Sequence, residues 1–114
     1  MRDDAAFKVL TAAELAELEA GSFAGSADDK RDGYIHLSTA AQLTETVDKH
    51  DAEGGDLHVA EVDLAALGDA IRWEPSRGGE DFPHLYGDLP LDAVVAYSPL
   101  ERDDDGQVKL PVTG

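Results

Sequence analysis

The chain has 114 residues, 42% of them hydrophobic, a length that suits one domain with one continuous core. The absence of Cys excludes disulfides, thiolate metal ligands and a cysteine nucleophile, and it suits a reducing cytoplasm. Because 25 acidic residues against 9 basic ones give a net charge of −16, we expect no nucleic-acid partner and no anionic membrane partner.

The sequence predicts a cytoplasmic protein. Its first residues lack an apolar signal segment, and no stretch approaches the ~20 apolar residues of a membrane span, so we expect neither a secretion signal nor an anchor. The acidic composition has two interpretations. It fits adaptation to high salt, where self-repulsion is screened, or it reflects the compositional bias of a genome.

We predict a single domain over residues 1–114, with a core at about 5–101 and a turn with a short strand or tail at 102–114. Phe7–Leu10 has the composition of a strand, and Thr11–Glu14 has the pattern of a capping box that opens a short amphipathic helix. The polar, glycine-rich segment 22–33 is predicted to be a loop, because it lacks the periodicity of a helix or strand.

Residues 34–38 have the alternation of a strand. This pattern places Ile35 and Leu37 on one face, and Tyr34, His36 and Ser38 on the other. Ser38 or Thr39 then caps a second helix, which ends near the glycines at 54 and 55. The polar side of this strand is therefore a candidate site.

The remaining sequence is mostly strand-like. We predict strands at 57–63, 70–74 and 92–100, a helical turn at 64–67, and a loop over 73–87. An acidic turn at 103–106 could send Val108–Leu110 back as a hairpin. This order predicts an α+β fold with two main helices on a mixed or antiparallel sheet.

The signatures of several large enzyme classes are missing: the sequence has no Walker A loop, dinucleotide-binding glycine pattern, zinc-protease motif or nucleophile elbow. The candidate site depends instead on His36 and its polar neighbours. An imidazole titrates near neutrality, so His36 could bind a ligand hydroxyl or transfer protons. The alternative is a structural histidine that bonds a loop carbonyl.

The segment 73–87 combines aromatic rings, a guanidinium and adjacent glycines, which favours a binding loop. Arg77 could hold a phosphate or carboxylate, with the backbone N–H groups of Gly78 and Gly79 near the same anion. The rings that could stack on a base or sugar are Trp73, Phe82 and Tyr86. In the alternative interpretation, these residues pair with acids and close the end of the core.

The spacing of the four histidines and 25 acidic residues does not support a metal site. His50 and His58 suit structural places in a helix and a strand. Asp28–Asp29 and Asp103–Asp105 lack the spacing of a calcium loop, so we predict solvated turns there. We expect no metal ligands.

Four separated segments carry a resemblance to a known family. They are Lys8–Leu10, Gly25–Thr39, Leu67–Ser76 and Phe82–Val94. Together they resemble domain-of-unknown-function family 952, over nearly the whole chain up to about Leu100. The resemblance implies a small bacterial protein whose fold is similar to that of ADP-ribosyltransferases, in a family with no assigned activity.

The resemblance also implies roles for particular residues. His36 would stand in the place of an early-strand histidine that binds the ribose of the nicotinamide in ADP-ribosyltransferases, with Tyr34 and Ser38 bordering the pocket. Those enzymes also use a later polar group, often a carboxylate, to orient the acceptor and stabilise positive charge in the transition state. Glu74 is the nearest candidate for it by residue type.

We therefore predict a site for a nucleotide such as NAD, or for another phosphorylated small molecule, with chemistry like ADP-ribosyl transfer. The catalytic residues are His36 and Glu74, and the ligand-binding residues are Arg31, Tyr34, Ser38, Trp73, Arg77, Gly78, Phe82, His84 and Tyr86. Two other hypotheses stay open: a non-catalytic ligand-sensing module that uses the same pocket, and an acidic domain that binds a basic protein. The sequence favours no particular oligomeric state.

Overall fold

The computed structural model describes residues 4–51, 56–75 and 79–111, and it shows an α+β fold. In chain order the elements are β1 (Ala5–Thr11), α1 (Ala12–Glu19), β2 (Ser22–Phe23), α2 (Ala27–Asp32), β3 (Ile35–His36), α3 (Ala40–Asp51), β4 (Leu57–Asp63), α4 (Leu64–Leu67), β5 (Ile71–Pro75), β6 (Asp81–Leu85), β7 (Leu89–Pro90) and β8 (Val94–Pro99). Among the described residues, no helix combines the length and apolarity needed to cross a membrane.

The strands form antiparallel sheets, one of the two alternatives that the sequence left open. β1, β4 and β8 make one three-stranded sheet in the order β1-β4-β8, and β3, β6 and β5 make another in the order β3-β6-β5. β2 and β7 form a separate pair. The helices in the described part of the chain number four, of which α1 and α3 are the longest.

Strand β1 is buried on both faces, which explains its unbroken run of buried residues from Ala6 to Leu10. Ala6 and Leu10 belong to a core cluster that also contains residues of α1 and of the β3-β6-β5 sheet. Phe7 and Val9 belong to a second cluster, with side chains from α3 and β4. The β1-β4-β8 sheet therefore lies between two apolar layers.

Side-chain caps set where the two longer helices begin. The predicted capping box of α1 is present: Thr11 Oγ1 accepts from the Glu14 N–H at 3.2 Å, and the Thr11 N–H donates to Glu14 Oε1 at 2.9 Å. Thr39 and Gln42 make the same reciprocal pair before α3, at 3.2 and 3.0 Å. Each pair satisfies two backbone donors that a helix start leaves without intrahelical partners.

The β3-β6-β5 sheet has one apolar and one polar face. Ile35 lies opposite Leu85, and Leu85 lies opposite Ile71; all three pack with the first core cluster. Neighbouring positions point the other way, since side chains alternate along a strand. The apolar side of this sheet closes the core, and its polar side is free to form a site.

Two segments predicted to be loops contain regular structure. Segment 22–33 holds β2 and α2, and segment 73–87 contains the last residues of β5 and the whole of β6. Pro75 is the last residue of β5 and not a residue beyond it. The final strand begins at Val94, after a short 3₁₀ turn, and the predicted hairpin is a single bridge between Arg102 and Val108.

Candidate functional site

The polar side of the β3-β6-β5 sheet brings together residues from three strands. His36 lies opposite His84, and His84 lies opposite Arg72, so the three share one face. Residues two positions away along the strands extend the face. We call this set the polar sheet face; its residues are Tyr34, His36, Arg72, Glu74, His84 and Tyr86.

His84 is the buried centre of the polar sheet face. Its side chain is 2% exposed, and its Nδ1 lies 2.9 Å from Glu74 Oε1. The Tyr86 hydroxyl donates to the same carboxylate oxygen at 2.7 Å. The Tyr34 ring stacks on the imidazole with centroids 4.0 Å apart. One carboxylate thus holds an imidazole and a phenol together.

His36 stands beside this group and is paired with a different carboxylate. Its Nε2 lies 2.8 Å from Asp32 Oδ2, and its side chain is 35% exposed. Its ring centroid lies 4.8 Å from that of Tyr34 and 5.5 Å from that of His84, both in T-shaped arrangements. Asp32 is the last residue of α2, and Gly33 follows it in the left-handed conformation with φ 89°, which turns the chain back toward β3.

Hydrogen bonds hold both carboxylates in the ionised form. The bond from Tyr86, followed by the one from His84, lowers the pKa of Glu74. The bond to His36, followed by the one from Arg31, lowers the pKa of Asp32. Both imidazoles therefore face a negatively charged acceptor at neutral pH.

Tyr34 stays neutral beside these charges. Partial burial raises the pKa of its hydroxyl, and the negative charges of Asp32 and Glu74 raise it further. The phenol therefore keeps its proton at neutral pH, and its ring is an uncharged aromatic surface between the two histidines.

A cavity of about 390 Å³ adjoins His36. This volume lies within the range of small-molecule sites, roughly 300–1,000 Å³. Three of the chain's 9 Lys and Arg residues line it: Lys8 from β1, Arg31 from α2 and Lys49 from α3. The Lys49 side chain is exposed, and its ammonium group has no hydrogen bond or ion pair with any residue that the structure describes. Three carboxylates, Asp28, Asp29 and Asp32, line the same cavity, so the formal charges of its lining balance in a chain whose net charge is −16.

Asp29 forms the wall of the cavity and connects three segments. Its side chain is 2% exposed and pairs with the buried Lys8 at 2.9 Å. Its two oxygens also accept the backbone N–H groups of Ser26 at 2.9 Å and His36 at 3.1 Å. The predicted solvated turn at Asp28–Asp29 is therefore wrong for Asp29, because this carboxylate is buried, capped and ion-paired.

The predicted site residues are divided between two adjoining regions. Arg31, Ser38 and Phe82 line the cavity, and Tyr34, Glu74, His84 and Tyr86 lie on the polar sheet face; His36 belongs to both. Trp73 lies on the opposite face and packs against the first core cluster, away from the other predicted residues. Arg77 and Gly78 lie outside the described residues.

Sequence reasoning missed the residues that give the cavity its charge: Lys8, Asp29, Asp32 and Lys49. One signal was available for Asp29, since Ser26-Ala-Asp-Asp29 matches the pattern of a capping box. Its partner Lys8 lies in an apolar strand, where nothing local indicates a buried ion pair. Within the described part of the chain, no group of His, Asp and Glu side chains could hold a metal ion.

The comparisons with known proteins identify a family and similar solved structures. The model of a family described as a protein of unknown function, DUF952, matches residues 9–97. A crystal structure of protein CC0527 from Caulobacter crescentus is 38% identical, with a TM-score of 0.76, and the match covers 92% of this chain and 93% of that one. The solution NMR structure of CC0527 is 40% identical with the same TM-score, and the match covers 93% and 91%. No curated protein matches. The chain belongs to the DUF952 family.

Proposed function

We propose that the protein binds a phosphorylated nucleoside ligand such as NAD, seated across the cavity and the polar sheet face. The observation that carries this proposal is the position of His36, which lines the cavity and also contacts the rings of Tyr34 and His84. A ligand that reaches from the cavity to the aromatic rings must pass this imidazole. Nucleotides have that form, with an anionic end and an aromatic end.

One lysine of the cavity, without a counter-ion among the described residues, supports a phosphorylated ligand. Lys8 is neutralised by Asp29, and Arg31 lies within 3.2 Å of Asp28 and 3.3 Å of Asp32. Lys49 has no such partner among the described residues. Its ammonium group is therefore available for a phosphate, a role that the sequence suggested for Arg77. The Ser26 hydroxyl, which accepts the Asp29 N–H, adds a neutral donor to the same cavity, whereas Thr46 donates to the Gln42 carbonyl and Ser38 to Thr46.

The tyrosines of the polar sheet face supply surfaces for the aromatic end. Tyr34 is half-buried, and Tyr86 is 40% exposed with the Arg72 guanidinium 5.2 Å from its ring centroid. A base or nicotinamide could stack on either ring, since aromatic stacking tolerates different heterocycles. Arg72 would add a cationic edge to that stack.

The family resemblance extends this proposal to a reaction like ADP-ribosyl transfer. In such a transfer, the bond between ribose and nicotinamide breaks, nicotinamide leaves with the electron pair, and the acceptor bonds to the anomeric carbon and gives up a proton. The ionised Glu74 would stabilise the positive charge that develops on the ribose. His36 would bind a ribose hydroxyl.

A non-catalytic ligand sensor is the second candidate, and one contact favours it. Glu74 Oε1 already accepts hydrogen bonds from His84 and Tyr86, so this oxygen serves the internal packing of the polar sheet face. A carboxylate committed in this way holds the site in shape without taking part in bond breaking. Sensor and enzyme would share a ligand and differ in turnover.

Titration with NAD, followed by NMR, tests the proposal. We expect shifts at His36, Lys49 and Tyr86, and about tenfold weaker binding for His36→Ala, the effect of one lost hydrogen bond. His58→Ala is the matched control, because His58 lies on β4 outside the site. Release of nicotinamide identifies the enzyme, and binding without release identifies the sensor. Equal NAD affinity for the folded His36→Ala variant and the parent protein would contradict the site.

A further inference from the structure

The contacts described above include no hydrogen bond for one ring nitrogen of His84. Nε2 is buried and has no hydrogen-bond partner in the part of the chain that the structure describes. Buried polar atoms in proteins are nearly always bonded, and an exception at a candidate site calls for a functional explanation. The other ring nitrogen is bonded to Glu74 at 2.9 Å, so the ring itself is firmly held.

The contact with Glu74 determines which nitrogen carries the proton. An ionised carboxylate only accepts hydrogen bonds, so Nδ1 of His84 must be the donor. The Tyr86 hydroxyl donates to the same oxygen and keeps the carboxylate charged. In the neutral imidazole, Nε2 is then left with an unshared lone pair. The arrangement is that of a carboxylate-oriented histidine with its accepting nitrogen free.

We propose that His84 Nε2 is a preformed hydrogen-bond acceptor for a hydroxyl of the bound ligand. This inference rests on the proposed function and deepens it, because it identifies the ligand as one with a ribose hydroxyl at this point. A fully ionised phosphate has no proton to donate to Nε2. His84 is thus a specificity-determining residue of the site.

Tyr34 lies against the face of the His84 ring. The Tyr34 ring stacks on the imidazole within 20° of parallel, and its side chain is only half-buried. Tyr34 immediately precedes β3, so its side chain can turn without breaking a strand pair. His36, which lines the cavity, lies edge-on to both rings. A ligand that extends from the cavity past His36 and displaces Tyr34 would therefore contact the His84 ring.

The test follows the imidazole nitrogens by NMR while ADP-ribose is added, with inorganic pyrophosphate as the reference probe. Both probes carry a diphosphate, but only ADP-ribose carries ribose hydroxyls. We expect both to shift Lys49, and ADP-ribose alone to shift Nε2 of His84; free adenine, which offers N–H groups but no hydroxyl, should leave Nε2 unchanged. His58 is the internal control, because its Nδ1 is also buried without a described partner but lies outside the site.

Two variants test how Glu74 orients the His84 imidazole and how Tyr34 shields its ring. Glu74→Gln should weaken the bond that holds His84 protonated at Nδ1 and reduce the response of Nε2. Glu19→Gln, which neutralises the carboxylate that accepts from Tyr97, should leave that response unchanged. Tyr34→Ala should make His84 react faster with a histidine-modifying reagent. If Glu74→Gln fails to fold, the Tyr34 variant and the parent protein still decide the question.

Each outcome decides between the two proposals. A shift of Lys49 without a shift of His84 Nε2 would overturn the role of His84 and leave nucleotide binding standing. No response to either probe would overturn both. Protonated Nε2 in the neutral ring would also reject the acceptor role, whatever the ligand. A response of His84 to ADP-ribose alone supports it.

Discussion

A single carboxylate, Asp29, connects the cavity to the core. It pairs with Lys8 of β1 and accepts the backbone N–H groups of Ser26 and His36, so it joins the beginning of α2 to two strands. Burial raises the pKa of Asp29, but the charge of Lys8 and the hydrogen bonds outweigh burial and hold this pKa below its ordinary value of 3.8. The folded protein therefore needs Asp29 ionised.

Asp29→Asn should lower the free energy of unfolding by about 3–5 kcal/mol, because it leaves the ammonium of Lys8 buried without its counter-ion. Because the pKa of Asp29 is lowered in the folded protein, its contribution to the free energy of unfolding depends on pH. The stabilisation is complete above the unfolded pKa of 3.8 and is lost as the pH falls through the lower folded value. Denaturant unfolding at several pH values should show the difference between the two proteins closing in acid.

Asp28→Asn is the control for this change, since the neighbouring carboxylate is 64% exposed. We expect an effect within about 0.5 kcal/mol, as is usual for surface substitutions. Equal effects of the two substitutions would contradict the role given to the buried pair.

Tyr86 and Tyr97 form a matched pair for testing how the polar sheet face sets the pKa of Glu74. Each is about 40% exposed, and each donates its hydroxyl to a glutamate, Glu74 and Glu19 respectively. Tyr86→Phe should raise the pKa of Glu74, because that hydrogen bond is the largest cause of its lowering. Tyr97→Phe should leave the Glu74 titration unchanged. Carboxyl NMR titration of the three proteins measures this.

At the residue scale, the sequence predicted which side chains share a face better than it predicted which are charged and buried. Alternation in β3 correctly separated Ile35 from Tyr34 and His36, because the period of a strand is a local property. Trp73 was placed with the site on residue type alone, although its parity along β5 puts it on the core side. The Lys8–Asp29 pair joins distant parts of the chain and leaves no local pattern.

At the element scale, α2 and β6 were missed for two physical reasons. α2 has six residues, too few to show helical periodicity, and tertiary contacts through Asp29 support it. In β6, Phe82 and His84 share the site face and Pro83 lies on the other, so polar and apolar residues do not alternate and the strand resembled a loop. The longer elements have clear caps and periods and were predicted correctly.

Ser26→Ala should destabilise α2, since the Ser26 hydroxyl accepts the Asp29 N–H at 3.2 Å in the capping box. The expected loss is about 1 kcal/mol, with faster hydrogen exchange in α2 and greater motion of Arg31 and Asp32 beside the cavity.

Thr11→Ala removes the equivalent cap of α1 and is the control. It should cost a similar amount of stability while hydrogen exchange in α2 stays unchanged. If both variants changed exchange in α2 alike, the site would depend on global stability and not on this helix.

At the scale of the whole molecule, the net charge of −16 opposes the compact state. Added salt screens this repulsion, with a Debye length of about 10 Å at 0.1 M and 3 Å at 1 M. We expect the free energy of unfolding to rise between low and molar sodium chloride. The buried pair of Lys8 and Asp29 is much less affected by salt, so the cost of Asp29→Asn should be nearly the same in both. A stability independent of salt would contradict this view of the acidic surface.

Both faces of β6 make contacts that the protein needs, so an insertion or deletion in this strand affects both. Its alternate residues serve the hydrophobic layer and the ligand-facing layer in turn, so one inserted or deleted amino acid would exchange the two sets along the rest of the strand. Leu85 would then face solvent while His84 turned toward the apolar interior. Folding and recognition would be lost in the same event, and this strand should tolerate changes in side chain far better than changes in spacing.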